Sequence, residues 1–323
     1  MVGKPLDYPL SLSIPEVRER FLTILGEFRV RAVPLDVRVT GEEELPGDIV
    51  SQRVEYQVEA GERVPAFHLF RRGLPADAPG VLSIHAHGGD DIFPVGKAFH
   101  CRPDPSDPAQ YSYRAALEGF RVLAPDALCF GERRKDWGYC VNFDDETIAH
   151  AELTSLGKSL MWKSVWDNTR AIEVLESLGA PRVGAMGWSG GSTQAYILAS
   201  ANEKVRAVAC FFSFMTLRHQ FYQYRLYHCL YYYIPGMMKA GIDWDQVVSL
   251  IPPRKIFLGW GALDEGTPEP MYRAFVQAVE RRCEAEGLGK CCFVHEEPRR
   301  GHEITPAMLD AAMAFMHDTL KHG

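Results

Sequence analysis

The sequence predicts an α/β protein, with a mostly parallel central sheet flanked by helices. Two observations carry this reading. Short apolar runs alternate with amphipathic stretches from Gly80 to the C-terminal region. Those runs are apolar throughout instead of alternating with polar residues, the pattern of strands covered on both faces. The chain of 323 residues, 46% hydrophobic and 24% charged, is long enough for one large core or two smaller ones.

The elements follow in order. Pro15 to Phe28 places Val17, Phe21, Leu22 and Leu25 at helical spacing, behind Ser13 or Pro15 as a start signal. Residues 1–48 therefore read as an N-terminal helical extension. Ile49 to Ala60 and Arg63 to Arg71 alternate as strands around Gly61, and this antiparallel-looking pair is expected at one edge of the sheet. Strands are predicted at Val81–Ile84, Phe120–Ala124, Arg182–Met186, Val205–Phe212, Lys255–Trp260 and Cys291–His295. Helices are predicted at Ala109–Glu118, Asp144–Leu178, Gly191–Ser200, Glu269–Glu286 and Pro306–Leu320. Between Phe211 and Asp245 the alternation stops and aromatics crowd in, among them Tyr222, Tyr224, Tyr227 and Tyr231 to Tyr233. Such an insertion at the C-terminal edge of a parallel sheet overhangs the site or simply packs. The expected organisation is one domain, with an aromatic-rich insertion or lid over about 212–250.

Composition narrows the function classes. The formal net charge is −7 and no basic stretch is interleaved with aromatics, which argues against a nucleic-acid partner. No run approaches the ~18 uninterrupted apolar residues of a membrane span. The start of the chain, Met1 to Ile14, does not read as a secretory leader. Eight cysteines are scattered without a CxxC pair and read as buried reduced thiols, so the expected location is cytoplasmic. The oligomeric state is left open, a homo-oligomer included.

The chemistry starts at Gly187-Trp188-Ser189-Gly190-Gly191, a G-x-S-x-G sequence between a predicted strand and a predicted helix. A nucleophile on a sharp strand-to-helix turn has neighbours too close for Cβ atoms, which glycines at 187 and 191 omit. Ser189 is the candidate nucleophile, and the Gly190 amide faces the developing oxyanion. Downstream, the strand ending at Trp260 runs into Asp264, and a later strand runs into Gly301-His302-Glu303. Acid and base thus each follow a separate strand, in the order Ser, Asp, His. Asp264 is preferred over its neighbour Glu265, and His302 over His295, His317 and His322.

The segment His85-Ala86-His87-Gly88-Gly89-Asp90-Asp91 follows another strand. Its glycine turn can present a second oxyanion donor, and the Gly89 amide is the candidate, with Gly88 or Asp90 as alternatives. H-x-H followed by two aspartates also has metal-ligand character. The oxyanion turn already accounts for these glycines, so no metal is expected.

With these residues in place, the chain resembles the α/β-hydrolases, and within them the dienelactone hydrolase and acetyl xylan esterase-like branch. The resemblance spans roughly residues 50–320. Beyond the Ser-His-Asp set it rests on Val122-Leu123-Ala124-Pro125-Asp126 leading to Phe130-Gly131-Glu132-Arg133. It rests also on Trp166 to Ile172, and on Tyr233-Ile234-Pro235-Gly236 leading to Ile251-Pro252-Pro253-Arg254-Lys255. The resemblance implies hydrolysis of a small-molecule carboxylic ester through an acyl-enzyme, without a cofactor. Dienelactone hydrolases proper carry a cysteine nucleophile where this chain has Ser189, which argues against dienelactone as substrate. A peptidase or thioesterase with the same triad stays open, as does a non-hydrolytic lyase or binding protein on the same fold. The candidate substrate-binding residues are Trp188 beside the nucleophile, Asp90 in the glycine turn, Tyr233 in the insertion and Arg133. Arg133 would bind a substrate carboxylate or, more plainly, join a surface ion pair.

Overall fold

A nine-stranded sheet organises the protein. The computed structural model describes residues 8–26, 33–88, 95–135 and 145–321. In chain order the elements are α1 (Ile14–Leu25), β1 (Arg38–Leu45), β2 (Ile49–Glu59), β3 (Glu62–Arg71), β4 (Gly80–Ile84), α2 (Tyr111–Leu117) and β5 (Arg121–Pro125). There follow α3 (Asp145–Ser155), α4 (Leu160–Ser177), β6 (Val183–Trp188), α5 (Gly190–Ala201) and β7 (Val205–Phe211). The last are α6 (Trp244–Val248), β8 (Lys255–Gly261), α7 (Glu269–Ala285), β9 (Cys292–Glu297) and α8 (Pro306–Lys321).

The strand order is β1-β2-β3-β5-β4-β6-β7-β8-β9. The pairings from β5 through β9 are parallel, and those joining β1, β2, β3 and β5 are antiparallel. The predicted α/β class and parallel core are therefore present, with one correction at the edge. β1, not the β2–β3 pair, is the outer strand on that side. Its sequence, RVTGEEEL, is almost wholly exposed, so it carries no apolar pattern to announce itself. β4, β6 and β7 are buried nearly along their whole length, as strands covered on both faces must be.

A second correction concerns the long helix predicted at 144–178. The chain breaks it into α3 and α4 around Gly157, which sits at φ 72°. Ser159 then caps α4 by accepting a hydrogen bond from the Trp162 amide at 3.0 Å. At the other end of the chain, α1 buries Val17, Phe21 and Leu25. Arg20 holds it down by donating to the Ala240 carbonyl at 2.7 Å. Its predicted end at Phe28 lies outside the described residues.

Much of the aromatic-rich segment after β7 is built into the core. Phe212, Phe214, Met215, Tyr231, Tyr232 and Trp244 are all buried, whereas Tyr227 is 73% exposed. Among the described residues no helix is long and apolar enough to cross a membrane.

Candidate active site

Ser189 stands where β6 ends and α5 begins. Its backbone lies at φ 57°, ψ −121°, a region a non-glycine residue enters at a cost of about 1–3 kcal/mol. The glycines around it allow the turn. A Cβ on Gly187 would meet the Gly191 carbonyl at 2.3 Å, and one on Gly191 would meet the Ile84 oxygen at 2.2 Å. Both sides of the turn are tied down. The Ser189 amide donates to Phe211 at 2.9 Å, and its carbonyl accepts from the Thr193 amide at 3.1 Å. The side chain is left partly exposed at the C-terminal ends of the parallel strands, where open α/β sheets hold their sites.

Asp264 follows β8 and His302 follows β9. Nδ1 of His302 donates to Oδ2 of Asp264 at 3.0 Å. That bond fixes the proton on Nδ1 and leaves Nε2 as the basic nitrogen. Asp264 is buried, while Glu265, the alternative acid, is exposed. Burial pushes the Asp264 carboxyl upward. Bonds from His302, Thr267 and the Gly266 amide outweigh it and hold the group below the usual carboxylate range. Trp188 stacks on the His302 ring at 5.8 Å, and Phe212 packs on it at 4.9 Å. Of the other histidines weighed from sequence, His295 pairs with Glu297 and His317 with Glu118, and His322 lies outside the described residues.

The turn after β4 lies against this elbow. A Cβ on Gly190 would come 2.6 Å from Cβ of His87, so only glycine lets the two segments meet. Gly190 opens α5, and a first-turn amide has no partner within its own helix, so it is free to meet an oxyanion. Gly89 and Asp90 lie outside the described residues. The described part of the turn is braced by three imidazoles. Nε2 of His100 accepts from the Ala86 amide at 3.1 Å, and Nε2 of His85 accepts from the Ala127 amide at 3.0 Å. Nε2 of His87 pairs with Oε2 of the buried Glu146 at 2.7 Å. His85 and His87 thus serve the turn. Among the described residues no group of three or more ligating side chains could hold a metal ion.

Residues 103–232 match the dienelactone hydrolase family. Over 94% of this chain and 99% of its own length, YtaP of Bacillus subtilis (strain 168) is 24% identical. Acetyl xylan esterase 1 from Thermoanaerobacterium sp. JW/SL YS485 superimposes with a TM-score of 0.65 at 17% identity, over 98% of both chains. The glucuronoyl esterase from Solibacter usitatus does so with a TM-score of 0.67 at 14% identity, over 97% of both. At such identities the structural likeness is one of fold. The chain has the α/β-hydrolase fold.

The structure corrects one of the substrate contacts expected from sequence. Arg133 is neither open to substrate nor on the surface. Its guanidinium is buried, donating to Asp167 at 2.8 Å and pairing with Glu62. Lys163 joins the same carboxylates, so the cluster is an internal charge network. The Tyr233 hydroxyl accepts from the His228 amide at 2.9 Å and from Gln220 at 2.7 Å, which leaves its own proton to donate. Of the expected contacts, Trp188 is the one placed beside Ser189 and His302. No local signal in the sequence points to His100 or Glu146, because each braces the turn from a segment without a motif. A cavity of about 440 Å³ between Arg71, Arg72, Pro79, Arg182 and Lys321 lies at the opposite end of the parallel strands, and Ser189, Asp264 and His302 are not among its lining residues.

Proposed function

We propose that this hydrolase cleaves a carboxylic ester of a small molecule through an acyl-enzyme on Ser189. The observation that carries the reading is the strained turn at Ser189, together with the His302–Asp264 hydrogen bond on the same edge of the sheet. The solved structures it resembles are named as esterases, and the site supplies the parts such chemistry needs. His302 Nε2 takes the Ser189 proton as the hydroxyl attacks the ester carbonyl. The Gly190 amide, with a second donor from the turn after His87, receives the tetrahedral oxyanion. The protonated His302 then passes its proton to the leaving alkoxide, and water repeats the cycle on the acyl-enzyme. Asp264 stabilises the imidazolium throughout. Small acyl groups such as acetyl fit the reading, and a lactone is an intramolecular case of the same bond. The seven cysteines among the described residues are all free and buried, which supports a reducing, cytoplasmic setting.

The test is hydrolysis of p-nitrophenyl esters from acetate to octanoate, beside Ser189→Ala and a fluorophosphonate label. Turnover and labelling that vanish with Ser189→Ala uphold the reading. Equal turnover by wild type and variant removes it.

A further inference from the structure

We propose that His228 is a substrate-contacting residue of this site, its Nε2–H donating a hydrogen bond to an oxygen of the bound ester. The inference deepens the esterase reading and rests on it.

The placement of the ring comes first. His228 lies on the aromatic-rich segment after β7, which folds back over the first turn of α5. Its imidazole stands edge-on to Tyr232, centroids 4.8 Å apart at 78°. The Tyr232 hydroxyl bonds to the Ser213 carbonyl at 2.7 Å and to the Thr193 hydroxyl. Thr193 in turn donates its amide to Ser189. The seat of the ring is thereby bonded to the turn that carries the nucleophile. The backbone beneath the ring is fixed as well, because the His228 amide donates to the Tyr233 hydroxyl.

The tautomer follows from one hydrogen bond. The Cys229 amide donates to Nδ1 of His228 at 2.9 Å. Nδ1 is therefore an acceptor, and the proton of the neutral ring sits on Nε2. Among the described residues, Nε2 has no hydrogen-bond partner, although the residue is only partly exposed. A donor held in one orientation and partly open to solvent is available to an acceptor on a ligand.

Electrostatics agree with the position. Burial lowers the His228 pKa to about 4, the charges of His87 and His302 lower it further, and Asp264 opposes them. The ring is near enough to His87, His302 and Asp264 for their charges to act on it. The ring stays neutral at the pH where His302 works as a base. It can then donate a hydrogen bond without placing a second positive charge beside the catalytic imidazolium.

Four variants test this with p-nitrophenyl acetate: Ser189→Ala, His228→Ala, His228→Phe and His228→Gln. Phenylalanine keeps a ring against Tyr232 without a donor, whereas glutamine restores an N–H at similar reach. The expected result is a loss of roughly 10–100-fold in kcat/KM for the alanine and phenylalanine variants, with glutamine within a few-fold of wild type. An independent readout needs no variant at His228. In protein labelled with 15N-histidine, the His228 Nε2 resonance should move when a short alkylboronic acid forms its tetrahedral adduct on Ser189. The proposal is overturned if the phenylalanine variant matches wild type, if glutamine rescues nothing, or if the adduct leaves the Nε2 resonance unmoved. Turnover that needs Ser189 but not His228 overturns this proposal alone. Turnover without any need for Ser189 overturns the esterase reading and this one with it.

Discussion

Nδ1 of His302 lies 3.0 Å from Oδ2 of Asp264, and the two residues come from loops after different strands. The carboxylate is buried and the imidazole is about one-third exposed, so the acid is fixed and the base faces outward. Asp264→Asn should keep the fold and lose the chemistry. An amide can offer its N–H to Nδ1, which moves the imidazole proton to Nε2 and leaves Ser189 without a base. The expected loss in kcat is about 10⁴-fold at neutral pH, with a melting temperature close to wild type. Initial rates and thermal denaturation on the same preparation decide it. A variant within tenfold of wild type would mean that Asp264 is not the orienting acid.

The glycines near Ser189 predict a different kind of failure. Ala at 191 would drive its methyl to 2.2 Å from the Ile84 oxygen and 2.5 Å from the His85 oxygen, both backbone atoms that cannot swing away. Gly191→Ala should therefore force β4 and α5 apart, at a stability cost of about 1–3 kcal/mol or more. Activity should fall with it, because the oxyanion turn begins at His85. Urea denaturation gives the stability, and an unchanged midpoint would contradict the packing described here.

These two predictions also mark how far the sequence could be read. The Ser189 turn and the order Ser, Asp, His were legible because each residue sits at a strand end. A strand leaves a short apolar run that fixes its own position. Gly187 and Gly191 were legible because close backbone approach admits no other residue. β1 was not, since an exposed edge strand needs no apolar face. The break between α3 and α4 escaped because apolar spacing continues through Gly157 and only its positive φ interrupts the helix. Arg133 was misplaced because nothing local says that Asp167 and Glu62, distant in sequence, will close around it. His228 and His100 act through hydrogen bonds that exist only once the loops are folded.

Asp126 explains a stretch that carried the family resemblance without an evident role. Its carboxylate accepts from the Lys97 amide at 2.8 Å, from Nζ of Lys97 at 2.6 Å and from the Glu132 amide at 3.0 Å. Gly96 and Gly131 close over it, and a Cβ on Gly131 would reach 2.4 Å from Oδ1. Asp126→Ala would leave the buried Lys97 ammonium without that partner and two amides without acceptors. The expected cost is about 3–5 kcal/mol. Removing the charge as well, in Lys97→Met/Asp126→Asn, should recover part of it. Denaturant midpoints for the single and double variants test the pair, and a neutral Asp126→Ala would refute the account.

The buried imidazoles give the protein an acid limit that can be assigned a direction. Burial lowers His100 to about 3, although its bond to the Ala109 carbonyl opposes this. Burial also lowers His68 to about 4, with Arg121 adding to it, and His228 lies at about 4. In the unfolded chain these groups titrate near 6.5. Below that pH the unfolded state binds protons that the folded state refuses, so stability falls as pH falls from about 6.5 towards 4. Above 6.5 the three groups add no dependence. Each contributes at most about 1.4 kcal/mol per pH unit inside that window. Protonating His100 would also cancel its acceptance of the Ala86 amide, so the oxyanion turn should loosen with the fold. Urea midpoints at pH 7.5, 6.0 and 4.5 should therefore descend, and His100→Gln, which cannot titrate, should show a shallower descent. A midpoint that stays level from pH 7.5 to 4.5 would mean that these rings are not held neutral by the fold.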